Sequence, residues 1–287
     1  MIDVSHLEIV EAVRRALEED IGSGDVTSEA CVPAARAASG EFIARETQIV
    51  AGVELLPLIY ELRGGVTKLE LRKSSGQKAV AGDVIATVTG SARTLLACER
   101  VALNFLQRLG GVATLAARYV ERTKGTNCQV LDTRKTTPGL RRLEKMAAAA
   151  GGVTNHRMGL YDAILIKNNH ITAAGGVRSA IEAAKESSPL PVEIEVRTRA
   201  ELREALESGA QHLLLDNFTP ADAAKLVRLV RGRAKVELSG GINLKNVRQY
   251  AKSGADFVSS GAITHSAPAV DISFRLDLRK KAARKLR

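Results

Sequence analysis

The amino-acid sequence predicts an α/β fold in which a smaller mixed domain precedes a barrel of alternating strands and helices. From Gln129 onward, short apolar segments each end in polar residues, and the ends of these segments recur every 21 to 28 residues. Helix signals separate them, such as Thr198 with Glu201 as a capping box and Thr219 before Pro220. Strands joined by such short crossovers lie parallel. Polar residues follow every predicted strand, whereas a doubly wound sheet concentrates its site at one switch point. A barrel is therefore favoured over a doubly wound sheet.

The first part of the chain predicts a different organisation. Leu7, Val10, Val13 and Leu17 have the spacing of one amphipathic helix. The segments EFIARETQIVAGV, VTKLELRKS and DVIATVTG then resemble short strands separated by glycine-rich turns. A long apolar helical stretch, RTLLACERVALNFLQRLGGVATLAARYVERTKG, follows and is expected to be interrupted at Gly110–Gly111.

We therefore expect three regions. The first is an α/β domain over residues 1–111, and the second is the barrel with its phosphate-binding loops over residues 112–267. The third, residues 268–287, is predicted to be a C-terminal helix with a basic tail that packs back on the N-terminal domain.

Length and composition exclude several classes of protein. A chain of 287 residues with 45% hydrophobic and 26% charged residues can bury a large core, which excludes a disordered or fibrous protein. The sequence shows no long apolar segment and no signal-peptide pattern. We therefore expect that the protein is neither a membrane protein nor a secreted one. Cys31, Cys98 and Cys128 are odd in number and far apart, which is not typical of a disulfide framework. We therefore expect a cytoplasmic enzyme.

The net charge of +10 raises the question of a nucleic-acid partner. From Arg275 to Arg287 the chain carries seven basic residues and one aspartate, so most of the excess charge lies in the tail. Only 3% of the residues are aromatic and none is Trp, which leaves little for base stacking. A solvated tail is the favoured interpretation, and we expect no nucleic-acid partner.

Two glycine-rich segments follow the last two predicted barrel strands. They read Ser239-Gly240-Gly241 and Ser260-Gly261-Ala262. Barrels often bind phosphate at these two loops, where glycine lets backbone N–H groups approach an anion. The alternative is that the glycines only permit tight turns, but two such loops in consecutive repeats favour phosphate binding.

Charged residues follow the other predicted strands. Arginine pairs bind carboxylates bidentately and lysine adds a point charge, so the substrate should be polyanionic. Glu195 and Asp216 could bind Mg²⁺ or ribose hydroxyls. For any single charged residue, the alternative to substrate binding is a structural ion pair at the barrel mouth. The charged residues in question are Arg134, Lys135, His156, Arg157, Lys167, Glu195 and Asp216.

Six motifs together resemble the quinolinate phosphoribosyltransferase family of NAD biosynthesis. They are ERVALNFLQRLGGVAT, LDTRKTTPGLRRLEKMA, NHRMGLYDAILIKNNHI, LDNFTP, ELSGGI and GAITHS. The resemblance covers the chain from Gly24 to about Asp271. It implies an N-terminal α/β sandwich, an open (β/α) barrel, and a homodimer, or a higher oligomer of dimers, in which one subunit's N-terminal domain caps the other's barrel. The implied reaction converts quinolinate and phosphoribosyl pyrophosphate to nicotinate mononucleotide, pyrophosphate and CO₂, with Mg²⁺ as cofactor.

The resemblance also implies roles for individual residues. Lys167, Glu195 and Asp216 are the expected catalytic residues, with Glu195 and Asp216 facing the ribose and its metal. The expected substrate-binding residues that complete the site are Arg100, Thr133, Arg134, Lys135, His156, Arg157, Ser239, Gly240, Gly241, Ser260, Gly261, Ala262 and His265. Asn168 and Val153 replace an aspartate and a glycine that the family usually has.

Three other functions stay open on the sequence alone. A paralogous phosphoribosyltransferase acting on nicotinate or another small anion would need fewer cations. A phosphate-binding isomerase or synthase barrel would not need pyrophosphate chemistry. A nucleic-acid-binding protein would bind DNA with a steep salt dependence.

Overall fold

The computed structural model describes residues 4–278 and divides them into two compact units. The first unit contains residues 4–115, 137–151 and 267–278, and the second contains residues 116–136 and 152–266. Each unit has its own main sheet.

The helices and strands are numbered along the chain. The helices are α1 Leu7–Ile21, α2 Val26–Cys31, α3 Leu55–Glu61, α4 Ala92–Thr123, α5 Arg141–Ala150, α6 Asn168–Ala174, α7 Val177–Ser187, α8 Arg199–Glu207, α9 Pro220–Val230, α10 Val247–Ala251 and α11 Ala262–His265. The strands are β1 Ala37–Ala44, β2 Gln48–Ile49, β3 Lys68–Leu71, β4 Lys78–Ala79, β5 Val84–Ser91, β6 Gln129–Leu131, β7 Ile164–Ile166, β8 Val192–Val196, β9 His212–Asp216, β10 Lys235–Ser239, β11 Phe257–Ser259 and β12 Ile272–Asp277.

The first unit is built on a four-stranded antiparallel sheet with the order β12-β1-β5-β3. The predicted first helix is α1, which buries Ile9, Val13 and Leu17. Its apolar spacing explains this burial, because residues three and four apart share one helix face. A two-stranded antiparallel pair, β2 with β4, completes the strands of this unit.

The expected C-terminal helix is wrong for Ile272–Asp277, which form strand β12. This strand pairs with β1 and places Phe274 opposite Phe42, with ring centroids 4.8 Å apart. Ile272, Phe274 and Leu276 alternate with more polar residues, which is the period of a strand rather than of a helix. A side chain at Gly40 would collide with the Phe274 ring, because its Cβ would lie 2.0 Å from Cζ. Residues 279–287 of the expected tail lie outside the described residues.

The expected interruption at Gly110–Gly111 is also wrong, because α4 runs without a break through both glycines. A Cβ on Gly111 would lie 2.0 Å from the Pro268 carbonyl oxygen, so the glycines allow a close backbone approach instead of ending the helix. The expected boundary after residue 111 therefore falls inside one helix.

Among the described residues, no helix combines the length and the apolar composition needed to cross a bilayer.

Residues 137–151, which the expected barrel region includes, group with the first unit. Helix α5 lies in this segment and is tied to the first unit by charge pairs. Arg142 contacts Glu8 at 3.0 Å, and Arg108 of α4 donates to Glu144 at 2.6 and 3.0 Å. Glu144 is fully buried, so this pairing compensates the cost of removing its charge from water.

The second unit is an α/β barrel that stays open between β6 and β7, the two edge strands of its sheet. Its six parallel strands have the order β6-β11-β10-β9-β8-β7. The open barrel that the sequence predicts is thereby confirmed. Because parallel strands point the same way, their carboxyl ends meet at one edge and bring together side chains that are distant in sequence.

Candidate active site

A cavity of about 700 Å³ lies at the carboxyl ends of the barrel strands in the second unit. Its size is typical of a site for small organic ligands. Fifteen of the sixteen predicted site residues line it, namely Thr133, Arg134, Lys135, His156, Arg157, Lys167, Glu195, Asp216, Ser239, Gly240, Gly241, Ser260, Gly261, Ala262 and His265. The remaining one, Arg100, lies on an exposed face of α4 in the first unit and does not line this cavity.

Arg134 and Arg157 form a pair of neighbouring cations in the cavity. Burial and the Arg134 charge both lower the pKa of Arg157, with burial the larger cause. The Arg157 guanidinium is oriented by a hydrogen bond from Nη1 to the Ala163 carbonyl oxygen at 2.9 Å. Two like charges held together repel each other, and an anion that binds both removes this repulsion.

His156 lies among three carboxylates. Its Nε2 is 3.1 Å from Glu193 Oε2 and 3.4 Å from Glu237 Oε2. Its backbone N–H donates to Asp132 Oδ1 at 2.8 Å, and the neighbouring Asn155 Nδ2 donates to Asp132 Oδ2 at 2.6 Å. Both the ring and the backbone N–H of His156 therefore contact carboxylates of the barrel.

Two effects oppose each other at the His156 ring. Burial disfavours the imidazolium, but the hydrogen bonds with Glu193 and Glu237 outweigh burial and raise the pKa of His156. The Arg157 backbone N–H, 2.7 Å from Nδ1, needs the lone pair of the neutral ring. Nε2 carries a proton both in the imidazolium and in the neutral ring whose Nδ1 accepts from Arg157. In either protonation state, the Nε2–H group donates to the carboxylates. Burial is also the largest cause that raises the pKa of Glu193.

Glu195 lies at the end of β8 between two cations. Its Oε1 accepts from Arg197 at 3.1 and 3.3 Å, and its Oε2 is 3.8 Å from Lys167 Nζ. The backbone N–H of Lys167 donates to His170 Nδ1 at 2.9 Å, which fixes the start of α6. Because Glu195 is only 5% exposed, these neighbours compensate a charge that would otherwise be costly to bury.

Asp216 ends the next strand, β9, and is half-buried in the cavity. Its Oδ2 accepts from Asn217 Nδ2 at 2.6 Å. Glu195 and Asp216 thus supply carboxylate oxygens to one cavity. Mg²⁺ in enzymes of phosphorylated substrates is usually bound by one or two carboxylates together with phosphate oxygens, so this donor set fits the ion.

The two glycine-rich loops differ in structure: the first needs glycine for its backbone conformation, and the second is held by a serine hydroxyl. Gly240 and Gly241 have φ values of 95° and 60°, a conformation that side chains disfavour. The Ser260 hydroxyl, in contrast, donates to the Ile242 carbonyl oxygen at 2.7 Å and so braces one loop against the other. Thr264 Oγ1 donates to the Lys135 carbonyl oxygen at 2.7 Å, which ties the start of α11 to the loop after β6.

Several charged or polar residues of this region are not among the site residues that the sequence predicts. Arg197 and Asn217 line the cavity, as does Glu237, while Glu193 and Asp132 lie beneath it against His156. Strand alternation contains the missing signal. Residues two apart on a strand face the same side, so Glu193 and Arg197 share a face with Glu195, and Glu237 shares one with Ser239.

Comparisons with known proteins indicate the same family along almost the whole chain. The family profile "Quinolinate phosphoribosyl transferase, N-terminal domain" matches residues 25–110, and the profile of the C-terminal domain matches residues 112–275. The chain is 37% identical over 277 residues to the probable carboxylating nicotinate-nucleotide pyrophosphorylase of Bacillus subtilis, covering 96% of each protein. It is 39% identical over 291 residues to the chloroplastic carboxylating nicotinate-nucleotide pyrophosphorylase of Arabidopsis thaliana, covering 94% of this chain and 83% of the relative.

A solved structure matches at a similar level. The crystal structure of NadC from Streptococcus pyogenes superposes with a TM-score of 0.90 at 37% identity, covering 94% of this chain and 96% of that one. The α/β fold of this chain is therefore that of a solved NadC structure. The chain belongs to the quinolinate phosphoribosyltransferase family.

Proposed function

We propose that the cavity at the carboxyl ends of β6–β11 binds quinolinate and phosphoribosyl pyrophosphate and is the active site. The chain catalyses the reaction of its family. In this reaction the quinolinate nitrogen displaces pyrophosphate from C1 of the sugar, and the 2-carboxylate then leaves as CO₂, giving nicotinate mononucleotide. The single observation that supports the location best is the convergence of paired arginines, two strand-end carboxylates and two glycine-rich loops on one cavity.

Arg134 and Arg157 are proposed to bind the carboxylates of quinolinate. Guanidinium groups bind carboxylates bidentately, and these two lie together in the cavity. Lys135, after β6, and Lys167, after β7, add positive charge to the same cavity. A dicarboxylate gains from both arginines, whereas nicotinate, with one carboxylate, leaves part of the like-charge repulsion in place.

Phosphoribosyl pyrophosphate is proposed to lie across the other half of the cavity. We propose that its phosphates bind the backbone of Gly240, Gly241, Gly261 and Ala262 and the side chain of His265, all of which line the cavity. As pyrophosphate departs, positive charge develops on the sugar, much as it does in glycoside cleavage. Glu195 and Asp216 are placed to stabilise this charge, and no covalent nucleophile is required.

Glu195 and Asp216 are also the proposed Mg²⁺ ligands. When bound, the ion would neutralise pyrophosphate oxygens and so make pyrophosphate a better leaving group. Arg197 and Lys167 balance the charge of Glu195. Their side chains are about half exposed and can move away when substrate and ion enter.

Decarboxylation is proposed to use the cations already described. Loss of CO₂ leaves an electron pair at C2 of the ring beside the cationic nitrogen. Lys167 or Arg134 is placed to stabilise this charge electrostatically.

The assembly and location of the enzyme are further proposals. We propose a homodimer with shared active sites, because Arg100 stands on an exposed face of α4 and lines no part of the described cavity. We propose a cytoplasmic location, supported by three cysteines, Cys31, Cys98 and Cys128, that are all free thiols.

One assay tests the function directly. The purified protein is incubated with phosphoribosyl pyrophosphate, Mg²⁺ and quinolinate, and nicotinate mononucleotide is followed by ultraviolet absorption. Nicotinate replaces quinolinate as the control substrate. Turnover with quinolinate and little with nicotinate is expected, and the reverse preference would favour the paralogous enzyme.

A further inference from the structure

Three carboxylates from three parts of the barrel surround His156. Asp132, fully buried after β6, accepts from the His156 backbone N–H and from Asn155. Glu193 on β8 and Glu237 on β10 accept from the His156 ring. Thr154 pairs with Leu131 of β6 in an isolated parallel bridge, but residues 155–157 have no regular secondary structure. Beyond this bridge, the side-chain contacts with the three carboxylates hold His156 in place.

The next residue in the chain is Arg157, which lies beside a second cation. Repulsion from Arg134 favours any movement that separates the two guanidinium groups. The hydrogen bond to Ala163 orients the Arg157 side chain but does not fix its backbone. Asp162 accepts from the backbone N–H groups of Met158 and Gly159 and so holds the chain after Arg157, and His156 is the attachment before it.

We propose that Asp132, Glu193 and Glu237 are positioning residues that clamp His156 and thereby hold Arg157 next to Arg134 as a preformed carboxylate site. His156 then acts through Arg157, and its ring Nε2 stays with the two glutamates when substrate is bound. This inference rests on the proposed role of Arg157 in binding quinolinate. A preformed site avoids an ordering cost at the moment of binding.

The sign of the charges makes the proposal testable. Glu237 lines the cavity that takes a dianion and Glu193 lies beneath it, so by charge alone these carboxylates oppose quinolinate binding. If charge is their only effect, every neutral replacement tightens binding or leaves it unchanged. If they position His156, a replacement that keeps the hydrogen-bond acceptor retains affinity, and one that removes the acceptor loses it.

Glu237→Gln and Glu237→Leu form the matched pair for this test. Both remove the charge, but only glutamine keeps a side-chain oxygen that can accept from His156 Nε2. Calorimetric titration with quinolinate is expected to give wild-type or tighter affinity for Glu237→Gln and about tenfold weaker affinity for Glu237→Leu. Glu207→Gln, on the exposed face of α8, is the control for loss of one negative charge. Equal affinities for the two Glu237 variants would overturn the proposal.

A second measurement asks whether the effect passes through Arg157. In an Arg157→Ala background, Glu237→Leu is expected to change quinolinate affinity by less than about twofold, because the group it positions is gone. A persistent tenfold loss would mean that His156 or Glu237 acts on the substrate directly, and the proposal would be wrong. The KM for phosphoribosyl pyrophosphate should stay unchanged in Glu237→Leu, whereas general damage to the barrel would raise both KM values.

A spectroscopic measurement observes the His156 ring in the wild-type chain. The chain has five histidines, and ¹⁵N labelling of histidine resolves their ring N–H groups. The His156 Nε2–H signal, assigned by its loss in His156→Gln, is expected to be protected from exchange and shifted downfield without ligand and to remain so with quinolinate bound. Absence of this signal without ligand, or its transfer to the substrate on binding, would overturn the proposal.

The two kinds of failure can be told apart. If the wild-type chain binds no quinolinate, the proposed function of the cavity fails, while the ligand-free spectrum still shows whether the clamp on His156 exists. If quinolinate binds but Glu237→Leu and Glu237→Gln bind it equally, only the positioning role fails.

Discussion

Gly240 and Asn217 approach each other so closely that no side chain fits between them. A Cβ on Gly240 would lie 2.2 Å from Asn217 Oδ1 and 2.7 Å from the Asn217 backbone nitrogen. Asn217 itself has a positive φ of 61°, and its N–H donates to the Ser239 carbonyl oxygen at 2.9 Å. The ends of β9 and β10 are thus locked together at the point where a carboxylate and a phosphate loop meet.

This contact predicts the effect of Gly240→Ala. The substitution combines a disfavoured φ of 95° with a steric collision, so unfolding free energy should fall by more than about 2 kcal/mol. Gly232→Ala is the matched control, since Gly232 also has a positive φ but open space around it. Chemical denaturation of both variants measures the difference. Equal destabilisation would show that the collision is relieved without cost.

Asp216→Asn is expected to lower turnover much more than stability. Asp216 is half-buried at a strand end, and the substitution keeps its shape while it removes the charge proposed for the ribose and Mg²⁺. Steady-state rates and thermal unfolding, measured on the same preparation, make the comparison. Activity should also be lost in excess chelator and restored by added Mg²⁺. Full activity in chelator would contradict the assignment of the metal.

Arg134→Ala and Arg157→Ala should each weaken quinolinate binding by tenfold or more. Each removes a charged hydrogen-bonding partner, which contributes about 1.5–3 kcal/mol. Arg228→Ala on the exposed face of α9 removes the same charge outside the cavity and should leave affinity unchanged. Calorimetric titration with quinolinate checks this prediction. Unchanged binding in both cavity variants would contradict the substrate assignment.

The shared-site proposal for Arg100 is tested by complementation. Arg100→Ala and Lys167→Ala chains, each inactive, are mixed and allowed to exchange subunits. If one subunit supplies Arg100 to the barrel of its partner, each heterodimer has one site with both lesions and one with neither, and up to about half of the activity returns. Purified heterodimers that stay inactive, when wild-type chains survive the same exchange, would show that Arg100 acts within its own subunit.

Glu144 is expected to support the first unit and not the chemistry. It is fully buried and accepts hydrogen bonds from Arg108 and from the backbone and hydroxyl of Thr137. Glu144→Ala leaves these donors without their acceptor and should lower unfolding free energy by about 3–5 kcal/mol. The exposed Glu121, paired with Lys124, is the control, and Glu121→Ala should change stability by less than about 1 kcal/mol. Denaturant unfolding of the two variants gives both values.

The sequence alone determined the elements of the barrel and the face on which its site lies. Each barrel strand is a short apolar segment that ends in a charged or small residue, and this local pattern needs no knowledge of the partner strands. Lys167, Glu195 and Asp216 could be placed at one mouth for that reason. The family motifs added the reaction, and the matching profiles over residues 25–110 and 112–275 agree with them.

Only the tertiary structure decided which groups meet beneath that mouth and where the ends of the chain pack. The pairing of His156 with Glu193 and Glu237 depends on the strand order β10-β9-β8, which brings together residues 37 to 81 positions apart. Ile272–Asp277 has the alternation of a strand, but its backbone partner, the edge of β1, lies far away in the sequence and is brought beside it only by folding. Gly110–Gly111 lie within a continuous helix and leave room for Pro268, which approaches from far along the chain, and such a contact exists only after folding.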